Sequence, residues 1–147
     1  MLGKMSAKDN TLKNMHIVPI QIRFNDVDQM GHINNAVIME YFDLGKSLYF
    51  AEAGVPVRPE EGDFAVMIVH YEVDFLKQLH YTDDLFVTTR VERFGYKSLT
   101  LEQCVMCSNE PCVRCRTVMS GYQRSLSSAV PIPEELKEQL RQFDASR

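Results

Sequence analysis

The sequence predicts an α+β domain in which one long helix lies across a curved, mostly antiparallel sheet of five strands. Three observations carry this. Residues 35–53 hold a wide apolar stripe at helical spacing, the chain after residue 63 alternates apolar and polar residues, and turn residues divide that stretch into strands. One helix followed by a run of strands argues for α+β and against repeated βαβ units. A chain of 147 residues suits one domain. The reading divides it into a leader (1–16), the domain proper (17–130) and a C-terminal helical segment (131–147).

The elements follow in order. Ile17–Phe24 alternates Ile20, Ile22 and Phe24 with Gln21 and Arg23 and reads as a strand. A polar loop, Asn25–Asn34, leads to the helix Asn35–Ala53, which Asn34 or Asn35 can cap. Its stripe is Val37, Tyr41, Leu44 and Leu48, widened by Ile38, Phe42 and Tyr49, so the helix is expected to bury against a sheet. Gly54 and Pro56 end it. Phe64–Leu76 follows, with Ala65, Met67, Val69, Tyr71, Val73 and Phe75 as one apolar face. Asp83-Asp84 turns the chain into Leu85–Phe94, and Gly95-Tyr96-Lys97 connects to a hairpin of Ser98–Cys107 and Cys112–Arg124. Pro133–Phe143 reads as a short amphipathic helix.

Composition narrows the function classes. The apolar fraction is 45% and the charged fraction 24%, ordinary for a globular protein. No apolar run approaches the roughly 18 residues of a membrane-spanning helix, and Met1–Lys13 lacks the apolar core of a secretory signal. The expectation is a cytoplasmic protein with no membrane partner. A net charge of −4 gives no general attraction to nucleic acid.

Cys104, Cys107, Cys112 and Cys115 spell two C-x-x-C motifs, the text of a zinc site. Residues three apart in a strand point to opposite faces. With the turn at Ser108–Pro111, Cys107 is expected opposite Cys112 and Cys104 opposite Cys115, the two pairs on opposite sides of the sheet. Four sulfurs so divided cannot meet one tetrahedral metal. Free thiols and no metal are expected.

The informative segment is Asp26-Val27-Asp28-Gln29-Met30-Gly31-His32-Ile33-Asn34-Asn35, between a strand and a buried helix. A helix N-terminus offers free N–H groups and partial positive charge to a developing oxyanion. A carboxylate on the preceding loop can act as base or nucleophile on the same carbonyl. Asp28 can equally be an Asx-turn residue that holds its own loop. Asp26 reads as structural, Asn34 and Asn35 as caps, and His32 as either a loop or a substrate-side residue. Glu40 and Asp43 lie one turn apart on the helix, where paired carboxylates can do acid/base work, but Glu40 sits at the edge of the stripe and reads as solvated or interfacial. His70 and Glu72 share a strand face that suits a pocket mouth or a dimer interface.

Asp26-x-Asp28, Gly31-His32-Ile33-Asn34-Asn35 and Tyr41-Phe42 together resemble the signature of the 4-hydroxybenzoyl-CoA thioesterase family of the hotdog superfamily. Tyr81-Thr82-Asp83-Asp84-Leu85 resembles that family's turn before its third strand, and Gly95-Tyr96-Lys97-Ser98 its Gly-x-x-Ser connection. The resemblance spans 17–124. It implies a hotdog fold, hydrolysis of acyl-CoA with Asp28 as the catalytic carboxylate, and His32, Asn34 and Asn35 in support. It also implies active sites at the interface of a homodimer, often assembled into tetramers, and no cofactor. Plant acyl-carrier-protein thioesterases carry Asn where this chain has Met30, so that role does not transfer, whereas His32 matches their histidine. Phe42, Met67 and Val69 are expected to hold the acyl group, and Lys97 and Ser98 to lie at the substrate, with Lys77, Arg90 and Arg93 as further candidates for phosphates. The competing readings are an acyl-ACP thioesterase and a non-catalytic acyl-CoA-binding module.

Overall fold

A computed structural model describes residues 15–56 and 58–146. Most of the expected leader, residues 1–14, lies outside the described residues, and His16 already belongs to the first strand. The elements are β1 (His16–Ile20), α1 (Asn35–Ala53), β2 (Phe64–Phe75), β3 (Leu85–Phe94), β4 (Ser98–Cys107), β5 (Glu110–Gln123), β6 (Ser128–Ala129) and α2 (Glu134–Ala145). All strand pairs are antiparallel, in the order β1-β3-β4-β5-β2, with the two-residue β6 added beside β5. This is the expected α+β architecture, a long helix held in a curled antiparallel sheet. β1 is shorter than its alternation suggested. It stops at Ile20, and Phe24 sits in a 3-10 turn, 82% exposed.

α1 begins at Asn34, whose side chain accepts from the Ala36 N–H at 2.8 Å. Its buried face runs through Ile38, Phe42, Gly45, Tyr49 and Ala53, with Tyr41, Lys46 and Phe50 beside it. This corrects the stripe read from sequence, since Leu44 and Leu48 are exposed. The cause is Gly45. A Cβ there would stand 2.6 Å from Val87 Cγ1 and 3.3 Å from Gln103 Nε2. The helix therefore presents its one residue without a side chain to the sheet, and its apolar neighbours rotate to either side of that contact. Gln103, fully buried, donates through Nε2 to the Phe42 carbonyl and to Thr89 Oγ1, both at 3.0 Å. One apolar cluster gathers on the N-terminal half of α1 (Ile38, Phe42, Leu79, Leu85, Val105, Val113). A second gathers on the C-terminal half with α2 (Tyr49, Phe50, Leu101, Met119, Leu136, Leu140).

Three register slips reset side-chain parity, one of them in β3 between Val91 and Arg93. In β2 the register slips between Ile68 and His70. Phe64, Val66 and Ile68 face α1 before the slip, and Tyr71, Val73 and Phe75 face it afterwards, each opposite an odd-numbered β5 residue. The uninterrupted face expected from Ala65 to Phe75 is thus split. Met67 points to the outer side with His70, Glu72 and Asp74, while Ala65, in the same register phase, is buried. An extra residue in one strand does this because alternation has a strict period of two. In the β4–β5 hairpin the register slips between Val105 and Met106. Cys107 then stands opposite Glu110, Cys104 opposite Arg114 and Cys115 opposite Gln103, which corrects the pairing read from spacing. Cys104 is on the outer face, while Cys112 and Cys115 lie in the core and Cys107 packs against it. All four are free thiols, and burial raises the pKa of each, Cys107 to about 11.

α2 is tied down by one carboxylate. Asp144 Oδ1 accepts from Tyr49 Oη at 2.8 Å, and Oδ2 accepts from the Val91 N–H at 3.0 Å, beside a register slip in β3. Gln139 Nε2 donates to the Ala53 carbonyl at 2.6 Å, satisfying the end of α1. Two stability outcomes follow. Gly45→Val should destabilise the fold by about 2–3 kcal/mol in denaturant melts, because overpacking outweighs the gain in helix propensity. Asp144→Ala should cost about 2 kcal/mol by removing a charged acceptor from two donors. A melt unchanged from wild type in either variant contradicts the packing described.

Candidate active site

The loop between β1 and α1 is built from its own side chains. Asp28 Oδ1 accepts from the N–H groups of Met30 at 2.8 Å and His32 at 3.1 Å. Its backbone N–H donates to the His32 carbonyl at 2.8 Å, and its carbonyl accepts from Gly31 at 3.1 Å. Gly31 takes the left-handed φ of 80° that closes this turn. Asp28 is therefore an Asx-turn residue held in one orientation, and its carboxylate is exposed. Anchoring through one oxygen aims the carboxylate group as a whole.

Asp26 serves the loop's base. Its Oδ2 accepts from the Arg23 N–H at 3.0 Å and from Tyr41 Oη at 2.6 Å, and its carbonyl accepts from the Asn34 N–H at 2.9 Å. Burial, and then the hydrogen bond and charge of Asp26, push the Tyr41 phenol above its ordinary range. The phenol stays neutral and donates. The other side of the loop rests on the strap between β2 and β3. Ile33 N–H donates to the Leu79 carbonyl at 2.8 Å, and His32 meets His80 edge-on with centroids 5.2 Å apart. Asn34 caps α1, and Asn35 is its exposed first residue. The structure thus brings Asp28, His32, Asn34 and Asn35 together at the N-terminus of α1.

It does not bring the expected substrate contacts to them. Lys97 and Ser98 lie at the far end of β3 and β4, across a strand of ten residues, roughly 30 Å at the strand rise. Phe42 is wholly buried under α1, Met67 points to the outer face and Val69 sits at the β2 bulge, 62% exposed. These three do not line one pocket, because the bulge reversed the parity on which they were grouped. His70 and Glu72, 3.5 Å apart, share the outer face. Lys77 is paired with Glu110, and Arg90 with Glu102 at 2.6 Å. Arg93 and Lys97 make no ion pair among the described residues.

A cavity of about 150 Å³ opens between α1 and β2, lined by Lys46, Ser47, Phe50, Ala65, Val66 and Met119. At its edge is a polar cluster that the sequence reading missed. Lys46 is 5% exposed. Its Nζ donates to Asp43 Oδ1 and to Tyr71 Oη, both at 3.3 Å, and lies 5.0 Å from the Tyr71 ring centroid. Burial and the nearby Asp43 push the Tyr71 phenol up to about 12. The available signal was the spacing Phe42–Lys46–Phe50, which places a lysine at i, i+4 between two core aromatics.

The model of the Thioesterase-like superfamily matches residues 22–140, most of the chain. A thioesterase from Thermus thermophilus, solved as a complex with coenzyme A and Zn, is 30% identical, and the alignment covers 90% of this chain and 95% of that one at a TM-score of 0.76. A predicted thioesterase from Bacillus stearothermophilus is 27% identical over 88% of this chain and 96% of that one, at a TM-score of 0.78. The uncharacterized protein YsmA of Bacillus subtilis (strain 168) is 26% identical over 122 residues, 82% of each chain. No helix among the described residues is long and apolar enough to cross a membrane. The loop, the helix it caps and these matches lead to one conclusion: the chain belongs to the Thioesterase-like superfamily and is a thioester hydrolase of the hotdog fold.

Proposed function

We propose that the chain hydrolyses acyl-CoA thioesters as a homodimer joined along β2, with Asp28 of one copy acting on a substrate whose acyl group enters the α1–β2 cavity of the other. The supporting observation is the division of parts along the chain. Asp28 sits at the Phe75 end of β2, whereas the cavity and Lys97–Ser98 sit at the Phe64 end. β2 is a twelve-residue edge strand with Met67, Ile68, Val69, Tyr71 and Phe75 exposed along it. A long apolar edge calls for a partner strand. Antiparallel pairing of two such edges about their midpoint carries the Asp28 loop of one copy to the cavity, Lys97 and Ser98 of the other. Coenzyme A as the carrier is supported by the Thermus thermophilus relative, crystallised with that molecule.

In this reading water, or Asp28 itself, attacks the thioester carbonyl. Asp28 takes the proton of water in the first case and forms an anhydride that water opens in the second. The N–H groups at the start of α1 take up the oxyanion charge. The C–S bond breaks, a C–O bond replaces it, and the thiolate leaves as coenzyme A with one proton. The exposed turn of Asp28 allows this role, since Oδ1 carries the loop bonds and the carboxylate stays open to solvent.

Thiol release from a panel of acyl-CoA and acyl-ACP substrates tests the reading. Asp28→Asn should lower turnover by about 10²-fold or more, the scale of a lost positioned base. Equal rates in wild type and variant would remove Asp28 from the chemistry, and a rate seen only with acyl-ACP would change the carrier. Ile68→Arg at the β2 edge should halve the mass measured by light scattering and abolish turnover together. A fully active monomer is incompatible with a shared site.

A further inference from the structure

We propose that Lys46 selects the substrate, and that the preferred acyl group is short and ends in a carboxylate, as in the coenzyme A half-thioester of a small dicarboxylic acid. This rests on the dimeric acyl-CoA reading above. The case begins with an ammonium placed where few proteins leave one. Lys46 is 5% exposed, on the face of α1 that looks toward β2. Burying a charge costs several kcal/mol before any pairing is counted. Its two oxygen contacts, at 3.3 Å, are longer than the about 2.7–2.9 Å of a strong charge-assisted bond. Asp43, the one anion among these contacts, has a side chain 60% exposed, so water screens its charge. The ammonium has surrendered its hydration and has gained no equally dry anion in return.

The cavity beside it supplies the place for one. Its lining is apolar at Phe50, Ala65, Val66 and Met119, and polar only at Lys46 and Ser47. At about 150 Å³ it takes a group the size of benzene, as apolar protein cavities of that volume do. An acyl chain of a few carbons fits along the apolar wall. A carboxylate at its tip would draw the Lys46 ammonium from Asp43 and Tyr71 toward the cavity, with the Ser47 hydroxyl at the mouth as a second donor. A hydroxyl at the tip is the weaker match, because Tyr71 already places one between Lys46 and Asp43, with its Oη 3.4 Å from Asp43 Oδ1. That phenol, pushed up to about 12 by burial and Asp43, stays neutral, so the solvent-exposed Asp43 is the one anion paired with Lys46.

Glutaryl-CoA and hexanoyl-CoA, close in size and different in terminal charge, make the test. Wild type should favour glutaryl-CoA in kcat/KM by about 10- to 100-fold, the range that one hydrogen bond to a charged group supplies. Lys46→Met should reverse the order, with hexanoyl-CoA turnover rising, and Lys46→Arg should keep it. A second readout needs no turnover. Millimolar glutarate should raise the melting temperature of wild type and of Lys46→Arg but not of Lys46→Met, and hexanoate should raise that of Lys46→Met instead. The same preference in wild type and Lys46→Met, or no glutarate shift in wild type, overturns the assignment and leaves Lys46 as a clasp between α1 and β2. A glutarate shift in a wild type that hydrolyses no acyl-CoA keeps the binding assignment and removes the proposed reaction, so the two failures are distinct.

Discussion

The close approach of α1 to the sheet at Gly45 is the constraint from which the rest of the structure follows. Because the helix touches Val87 through a residue with no side chain, its axis sits near the β3–β4 surface, and the flanking aromatics are driven outward to both sides. Phe42 and Ile38 fill the space toward the Asp28 loop, and Tyr49 and Phe50 fill the space toward α2. Gln103 then bonds the helix backbone at Phe42 from below. A larger residue at position 45 would lift the helix and loosen both clusters at once, since close-packed interiors have little room to absorb a displacement.

The helix centred on β3 and β4 leaves β2 only loosely covered. The β2 bulge keeps an apolar row turned toward α1 along the whole strand despite the change of sequence phase at Val69. Ile68, Tyr71 and Phe75 are nonetheless partly open to solvent. The gap between helix and strand is where Lys46 comes to lie, and it ends in a cavity rather than in packed side chains. One geometric fact therefore accounts for a rigid centre, an open edge and a site-sized void.

The Asp28 loop belongs to a different level of organisation. Its shape is set by contacts within about ten residues, namely the Asp28 turn, the Asp26 bonds and the Asn34 cap. Its location is set by long-range contacts, through Tyr41 on one side and Leu79 and His80 on the other. The form of the loop does not depend on the α1–β2 cavity, which lies at the opposite end of β2.

By itself the sequence determined the local features. The extent of α1, a cap at Asn34 or Asn35, the end at Gly54, the succession of elements along the chain and the loop at Asp28 are written in spacing and residue type, because they depend on neighbours a few positions apart. The α+β class followed from the order of those elements, and the loop motif was specific enough to point to the family. Tertiary structure decided which faces are buried. Leu44 and Leu48 read as core until Gly45 was seen against Val87. Met67 and Val69 read as pocket residues until the bulge between Ile68 and His70 reversed their side, and a slip at Val105 moved the cysteines out of register. It also decided that Lys46 is buried and that Lys97 and Ser98 are a strand's length from Asp28. Hydrophobic periodicity reports that a face exists. The position of that face depends on contacts between residues far apart in the chain, and a single inserted residue in a strand inverts it.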